Sequence, residues 1–410
     1  MTLKLRLTVM QFLQYFVLGS WILTIGAYWF QNKGWSSTGF GAVFSTIGIA
    51  SLFMPALAGV VADRWLNAEK LYGILHLAGA IALLCIPQID DPSFMFWAML
   101  FNMVCYTPTI SLSTSVSFST MKESGMNAVK DYPPIRVWGT AGFVAALWTI
   151  SFSGLETSAG QFYIASAVSF ALAIFSLTMP KCPPLGKSIG GARVNNLGLQ
   201  GFTLLKNSNM ALFFIFAMLL GASLQLTSAY SDTFLHDFAA IDQFKDAFAV
   251  RHPAVILSIS QMSEILFILA IPVFMQRYGI KRVMLISMTA WVLRFGLFAF
   301  GDPAGGLWMI ILSCVIYGIA FDFFNIAGSI YVETQVEPSM RSSGQGLFFM
   351  MSNGFGALFG SIMSGIVIDK YFMIDGVFDW RGIWLSFAGY AALTAVLFVV
   401  LFKSPKKEKV

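Results

Sequence analysis

Apolar residues come along this chain in runs of about 20, the length of helix that crosses the hydrocarbon core of a bilayer. Such runs predict twelve spans, with cores near 8–30, 39–62, 71–88, 94–118, 136–155, 160–180, 209–232, 253–275, 282–300, 305–331, 342–368 and 383–402. The runs around Glu264 and Asp322 have no polar face wide enough to meet water. The longest central connection, residues 181–208, contains KCPPLGKSIGGARVNNLG, which is basic and rich in Pro and Gly. It separates an N-terminal six-helix half (1–180) from a C-terminal six-helix half (209–410) that ends in a short basic tail. The predicted fold class is therefore an all-α integral membrane protein: twelve transmembrane helices in two pseudo-symmetric halves. The basic start MTLKLR leads into an apolar stretch too long for a signal-peptide core, so it reads as a first span that stays.

Composition agrees with this pattern. The chain is 57% hydrophobic and only 11% charged, against roughly 25% charged in ordinary globular domains. Charge placement orients the spans. With both termini in the cytoplasm, 19 of the 25 Lys and Arg residues fall on or near the inner side, five fall outside and Arg294 lies within a span. One helix more or fewer would destroy that asymmetry. The net charge of +5 comes from inner loops and the tail KSPKKEKV, so it calls for no nucleic-acid partner. Four scattered cysteines and three histidines make no disulfide framework, no metal site and no cofactor site. His76 reads as a polar contact between helices. No Ser/His/Asp set or phosphate loop points to an enzyme.

Polar residues inside the spans carry the chemistry. An ionisable group in hydrocarbon is costly, so Glu264 and Asp322 should face a bundle interior, a partner or water. They mark a substrate or proton path, unless they only tie helices together. Arg136, Thr140 and Phe143 share one helix face in the fifth span. Gln225 and Ser228 share a face on the seventh, Gln261 and Glu264 on the eighth, and Asp322 and Asn325 on the tenth beside Phe321 and Phe323. Amides and carboxylates offer hydrogen bonds, and aromatic rings offer flat faces. The set suits a flat, neutral, hydroxyl-bearing ligand better than a multiply charged one, which would need more cations than Arg136. The amides have interhelical hydrogen bonding as their structural alternative, and the phenylalanines have plain packing.

Two short inner loops occupy equivalent places in the halves: GVVADRWLNAEK (59–70) and FMQRYGIKR (274–282). Asp63 and Arg64 in the first are candidates for a conformational gate, with simple topology charge as the alternative. The paired loops and the six-plus-six layout resemble the major facilitator superfamily. Residues 67–70 depart from its usual run of glycine and basic residues. Two-half transporters bind substrate at the midplane and work by alternating access.

Longer strings sharpen the resemblance. FLQYFVLGSW, DYPPIRVWGTAGF, FFIFAMLLGASLQLT, SISQMSEILFILAIP, YGIAFDFFNIAGS and QGLFFMMSNGFG are similar to the nucleoside:proton symporter family of that superfamily, from the first span to the twelfth. The resemblance implies proton-coupled nucleoside import across a bacterial inner (cytoplasmic) membrane by a monomer. It carries substrate-binding roles onto Arg136, Thr140, Phe143, Gln225, Gln261, Glu264, Phe321 and Asp322. At Ser228 the family has an asparagine; the shorter serine loses an amide donor and acceptor, which a bridging water could replace. Glu264 and Asp322 are both candidates for proton coupling. A proton-coupled sugar symporter is the alternative function, because the same acids and amides bind hydroxyls without needing base stacking.

Overall fold

The computed structural model describes residues 2–126, 128–184, 199–337 and 340–403. The N-terminal helices are α1 Leu3–Gly19, α2 Ser37–Arg64, α3 Ala68–Cys85, α4 Pro92–Glu123, α5 Ala128–Phe152 and α6 Gly160–Ser176. The C-terminal ones are α7 Ser208–Asp237, α8 Pro253–Tyr278, α9 Ile280–Phe300, α10 Leu307–Gln335, α11 Arg341–Phe349, α12 Ala357–Tyr371 and α13 Trp380–Leu401. Ten helices among the described residues are long and apolar enough to cross a membrane, and α6 is a shorter apolar helix. The broken first segment completes the twelve.

Two spans are less regular than their apolar runs suggest. The first ends as an α-helix at Gly19, turns through Ser20–Thr24, and resumes as a short helix and a π turn, Tyr28–Asn32. Ser20 Oγ donates to Phe16 O at 2.8 Å, so a Gly–Ser pair and a side chain bonded back to the preceding turn break the helix here. The eleventh contains a π turn, Met350–Gly356, between α11 and α12. A Cβ at Gly221 of α7 would run into the Ser352 carbonyl, and one at Gly356 would sit 2.5 Å from Met218 O. The π turn thus lies directly against the α7 backbone. A two-stranded hairpin, β1 Met373–Ile374 and β2 Val377–Phe378, links α12 to α13. Its turn residues Asp375 and Gly376 both have positive φ, the Asp-Gly chemistry of a tight hairpin.

The described chain forms two compact units, residues 1–35 with 49–195, and residues 36–48 with 196–410. In the first, α1 packs on α5 and α3 on α6. The close approach of α1 and α5 depends on Gly142, where a Cβ would collide with the Phe12 carbonyl. Between these helices lies a buried polar network. Gln14 donates to Thr109 Oγ1 at 2.8 Å and accepts from Tyr72 Oη at 2.7 Å. His76 lies 2.8 Å from Gln14 Oε1 and 3.1 Å from Ser169 Oγ, the interhelical contact expected of it. In the second unit α10 packs on α8 and α9, and α9 on α13. The first turns of α2 also belong to this unit. Of the central segment 181–208, residues 185–198 lie outside the described residues, as do tail residues 404–410.

Candidate functional site

Arg136, Thr140 and Phe143 lie on α5. Arg136 and Thr140 are half-buried and Phe143 is buried. The Arg136 guanidinium lies 4.2 Å over the Tyr15 ring centroid, and Nη2 donates to Tyr15 Oη at 2.8 Å. Gly139 makes room for this pair, since a Cβ there would lie 2.7 Å from the Tyr15 ring and 2.8 Å from Arg136 Nη1. Tyr15 therefore fixes the cation by stacking and by a hydrogen bond. Tyr15 stands in the string FLQYF, where no charge or spacing marked it.

In the C-terminal unit, Gln225 is buried and Ser228 half-buried on α7, Gln261 and Glu264 are half-buried on α8, and Phe321 is half-buried on α10. Asp322 is 6% exposed. Backbone contact sets the register of α8 against α10. Gly318 N donates to Ser263 Oγ at 3.1 Å, and Ser263 Oγ lies 3.3 Å from Cys314 O. Neighbouring positions on the two helices hold Glu264, Tyr317, Phe321 and Asp322.

Tyr317 and Phe321 stack as offset parallel rings, with centroids 5.8 Å apart and planes 5° apart. The Gln261 side chain hydrogen-bonds with Tyr317, and Glu264 interacts electrostatically with it. Together they form a flat aromatic shelf with an amide and a carboxylate at its edge. Tyr317 was legible only as the residue one turn before Phe321. Asp322 presents a different environment: its Oδ2 is buried and has no hydrogen-bond donor among the described residues.

A small cleft lies between α7, α9, α10 and the π turn. Phe321 and Asn325 line it together with Trp291, Phe324 and Asn353. Of the residues to which the family resemblance assigns substrate contacts, Phe321 lines this cleft. Of the gate pair, Arg64 is exposed at the end of α2, and the side chain of Asp63 lies outside the described residues.

The chain matches the family described as Nucleoside H+ symporter over residues 1–407. It is 49% identical to the xanthosine permease of Escherichia coli (strain K12) over 413 residues, which cover 100% of this chain and 99% of the relative. It is 48% identical to the nucleoside permease NupG of the same organism over 404 residues, 98% of this chain and 96% of the relative. A crystal structure of the nucleoside transporter NupG superposes with a TM-score of 0.94 at 48% identity, covering 99% of this chain and 100% of that one.

Proposed function

The chain belongs to the nucleoside H+ symporter family, and from that premise we propose how its side chains move a nucleoside together with a proton. The protein is a multi-pass membrane transporter that couples nucleoside movement to protons; it is not an enzyme. The match over nearly the whole chain carries this reading.

Substrate contacts fall to Arg136, Thr140 and Phe143 from the N-terminal half. Gln225, Ser228, Gln261, Glu264, Phe321 and Asp322 supply them from the C-terminal half. The shelf of Tyr317 and Phe321 supports a flat base, and the Gln261 amide and the Glu264 carboxylate suit hydroxyl or ring N–H groups. The coupled proton goes to Asp322. A proton on its buried Oδ2 satisfies an oxygen that has no hydrogen-bond donor among the described residues, whereas Glu264 has Arg294 as an electrostatic partner.

Halves 1–180 and 209–410, joined by 181–208, work by alternating access, with Asp63 and Arg64 as a gate at the inner loop. The monomer sits in a bacterial inner membrane with both termini in the cytoplasm, the orientation favoured by the Lys and Arg asymmetry.

Uptake of radiolabelled uridine into proteoliposomes, with and without an inward proton gradient, tests the reading. Competition with adenosine, inosine, xanthosine and glucose should show gradient-driven uptake blocked by nucleosides and not by glucose. Glucose transport without nucleoside uptake would overturn it in favour of a sugar symporter.

A further inference from the structure

We propose that Arg294 is the positioning residue of the recognition face in the C-terminal half. It fixes Ser260, one turn before Glu264, and the Tyr317–Phe321 shelf, so that its guanidinium sets nucleoside affinity rather than turnover. This rests on the reading that Glu264 and Phe321 contact the nucleoside.

Arg294 lies about two-thirds of the way along α9, within its apolar run. It is 1% exposed, and among the described residues no other Arg or Lys is buried. A cation in that place is expensive unless its charge and its donors are both used. Nη1 donates to Ser313 O at 2.7 Å and reaches Ser260 Oγ at 3.4 Å, and Nε reaches Thr227 Oγ1 at 3.5 Å. Ser313 Oγ donates back to Arg294 O at 3.0 Å. The guanidinium plane lies 4.6 Å from the Tyr317 ring centroid and 5.1 Å from that of Phe298.

The anchor points are the neighbours of the proposed contacts. Thr227 on α7 adjoins Ser228. Ser260 on α8 adjoins Gln261 and lies one turn before Glu264. Tyr317 on α10 lies one turn before Phe321 and stacks on it. A single cation on α9 thus gathers the three helices that carry the recognition face. Its charge also acts on the Glu264 carboxylate, more weakly than on Tyr317. An apolar side chain of similar volume could fill the space, but it could neither compensate Glu264 nor lie against Tyr317 as a cation. Lysine would keep the charge and lose the planar fork and the stack.

The test uses the full-length chain in proteoliposomes and in detergent. Arg294→Lys should raise the KM for uridine by about tenfold or more while Vmax stays within about twofold. Uridine binding by calorimetry, read well below the variant's melting temperature, should weaken by a similar factor. In a double-mutant cycle, Arg294→Gln should cost markedly less affinity on the Glu264→Gln background than alone, because the carboxylate it compensates is gone. An unchanged KM in Arg294→Lys, a loss confined to Vmax, or full additivity in the cycle would overturn the proposal. Should Arg294→Gln fail to fold, Arg294→Lys decides by itself. Glu264→Gln with the parent KM would instead sink the underlying reading of Glu264, a result separable from any failure at Arg294.

Discussion

Gly318 donates its backbone N–H to Ser263 Oγ at 3.1 Å, and a Cβ added to Gly318 would lie 2.8 Å from both the carbonyl carbon and the carbonyl oxygen of Ser263. These helices touch backbone to backbone one residue away from Glu264 and one residue away from Tyr317. Small residues allow such an approach between membrane helices. Gly318→Val should force α8 and α10 apart, at about 1–3 kcal/mol of overpacking strain. Thermal unfolding in detergent should register the destabilisation, and uridine binding should fall with it. A variant that kept both would show that this register does not set the site.

The Arg136–Tyr15 pair can be dissected in the same way. Tyr15→Phe keeps the ring under the guanidinium and removes the hydrogen bond at 2.8 Å. One such bond is worth about 1 kcal/mol, so the KM for uridine should rise about fivefold. Arg136→Lys loses the stack as well and should do worse. The ratio of KM values in the two variants measures how far Tyr15 positions the cation.

Much of the fold was legible because the hydrocarbon core admits so few solutions. Apolar runs and the placement of Lys and Arg marked the spans before any contact was known. The breaks inside them were not legible. Ser20 bonds back to its own helix where the first span breaks, and the π turn at Met350–Gly356 lies against the α7 backbone at Gly221. Both depend on backbone geometry that hydropathy does not encode. In the candidate site, charged and amide residues stood out against apolar surroundings. Tyr15 and Tyr317 did not, because an aromatic residue in a span looks the same whether it packs in a core or supports a charge. Arg294 was visible as a cation in a span, but nothing in its neighbours LRFG named Ser260, Ser313 or Thr227 as its partners.

Outside the membrane, Asp91 caps α4 and accepts from Ser93 N at 2.7 Å and from Phe94 N at 3.2 Å. These backbone bonds hold its carboxyl below the ordinary aspartate value. A carboxyl depressed in the folded state contributes stability above its unfolded value, and loses that contribution as pH falls through the folded one. Asp91→Ala should therefore lower the melting temperature at pH 7, and the difference from the parent should shrink towards pH 3. A difference that stayed constant with pH would assign the effect to helix propensity instead of the charge.

Asp369 plays a similar part over a longer distance in sequence. It accepts from Ser37 N at 2.9 Å and from Thr38 N at 2.6 Å, closing the N-terminus of α2. An anion there satisfies two free N–H groups and meets the positive end of the helix. Asp369→Ala should cost about 1 kcal/mol, in the range of a lost helix cap. Asp369→Asn keeps an acceptor without the charge and should fall between parent and Ala. Equal melting temperatures for all three would show that water replaces the cap without loss.

Assigning the proton to Asp322 and the substrate contact to Glu264 divides two phenotypes that an undifferentiated pair would mix. Asp322→Asn removes the group that takes up the proton but leaves the shelf of Tyr317 and Phe321 in place. It should exchange uridine across the membrane at equilibrium and fail to accumulate it against a gradient. Glu264→Gln should bind uridine weakly, yet at saturating uridine it should still accumulate the substrate when protons flow inward. For each coupled proton, a gradient of one pH unit supports about tenfold accumulation, a difference that filtration assays resolve. The reverse pattern, accumulation kept in Asp322→Asn and lost in Glu264→Gln, would exchange the two roles. It would also make Arg294 the partner of the proton-carrying carboxylate, because Arg294 acts on Glu264.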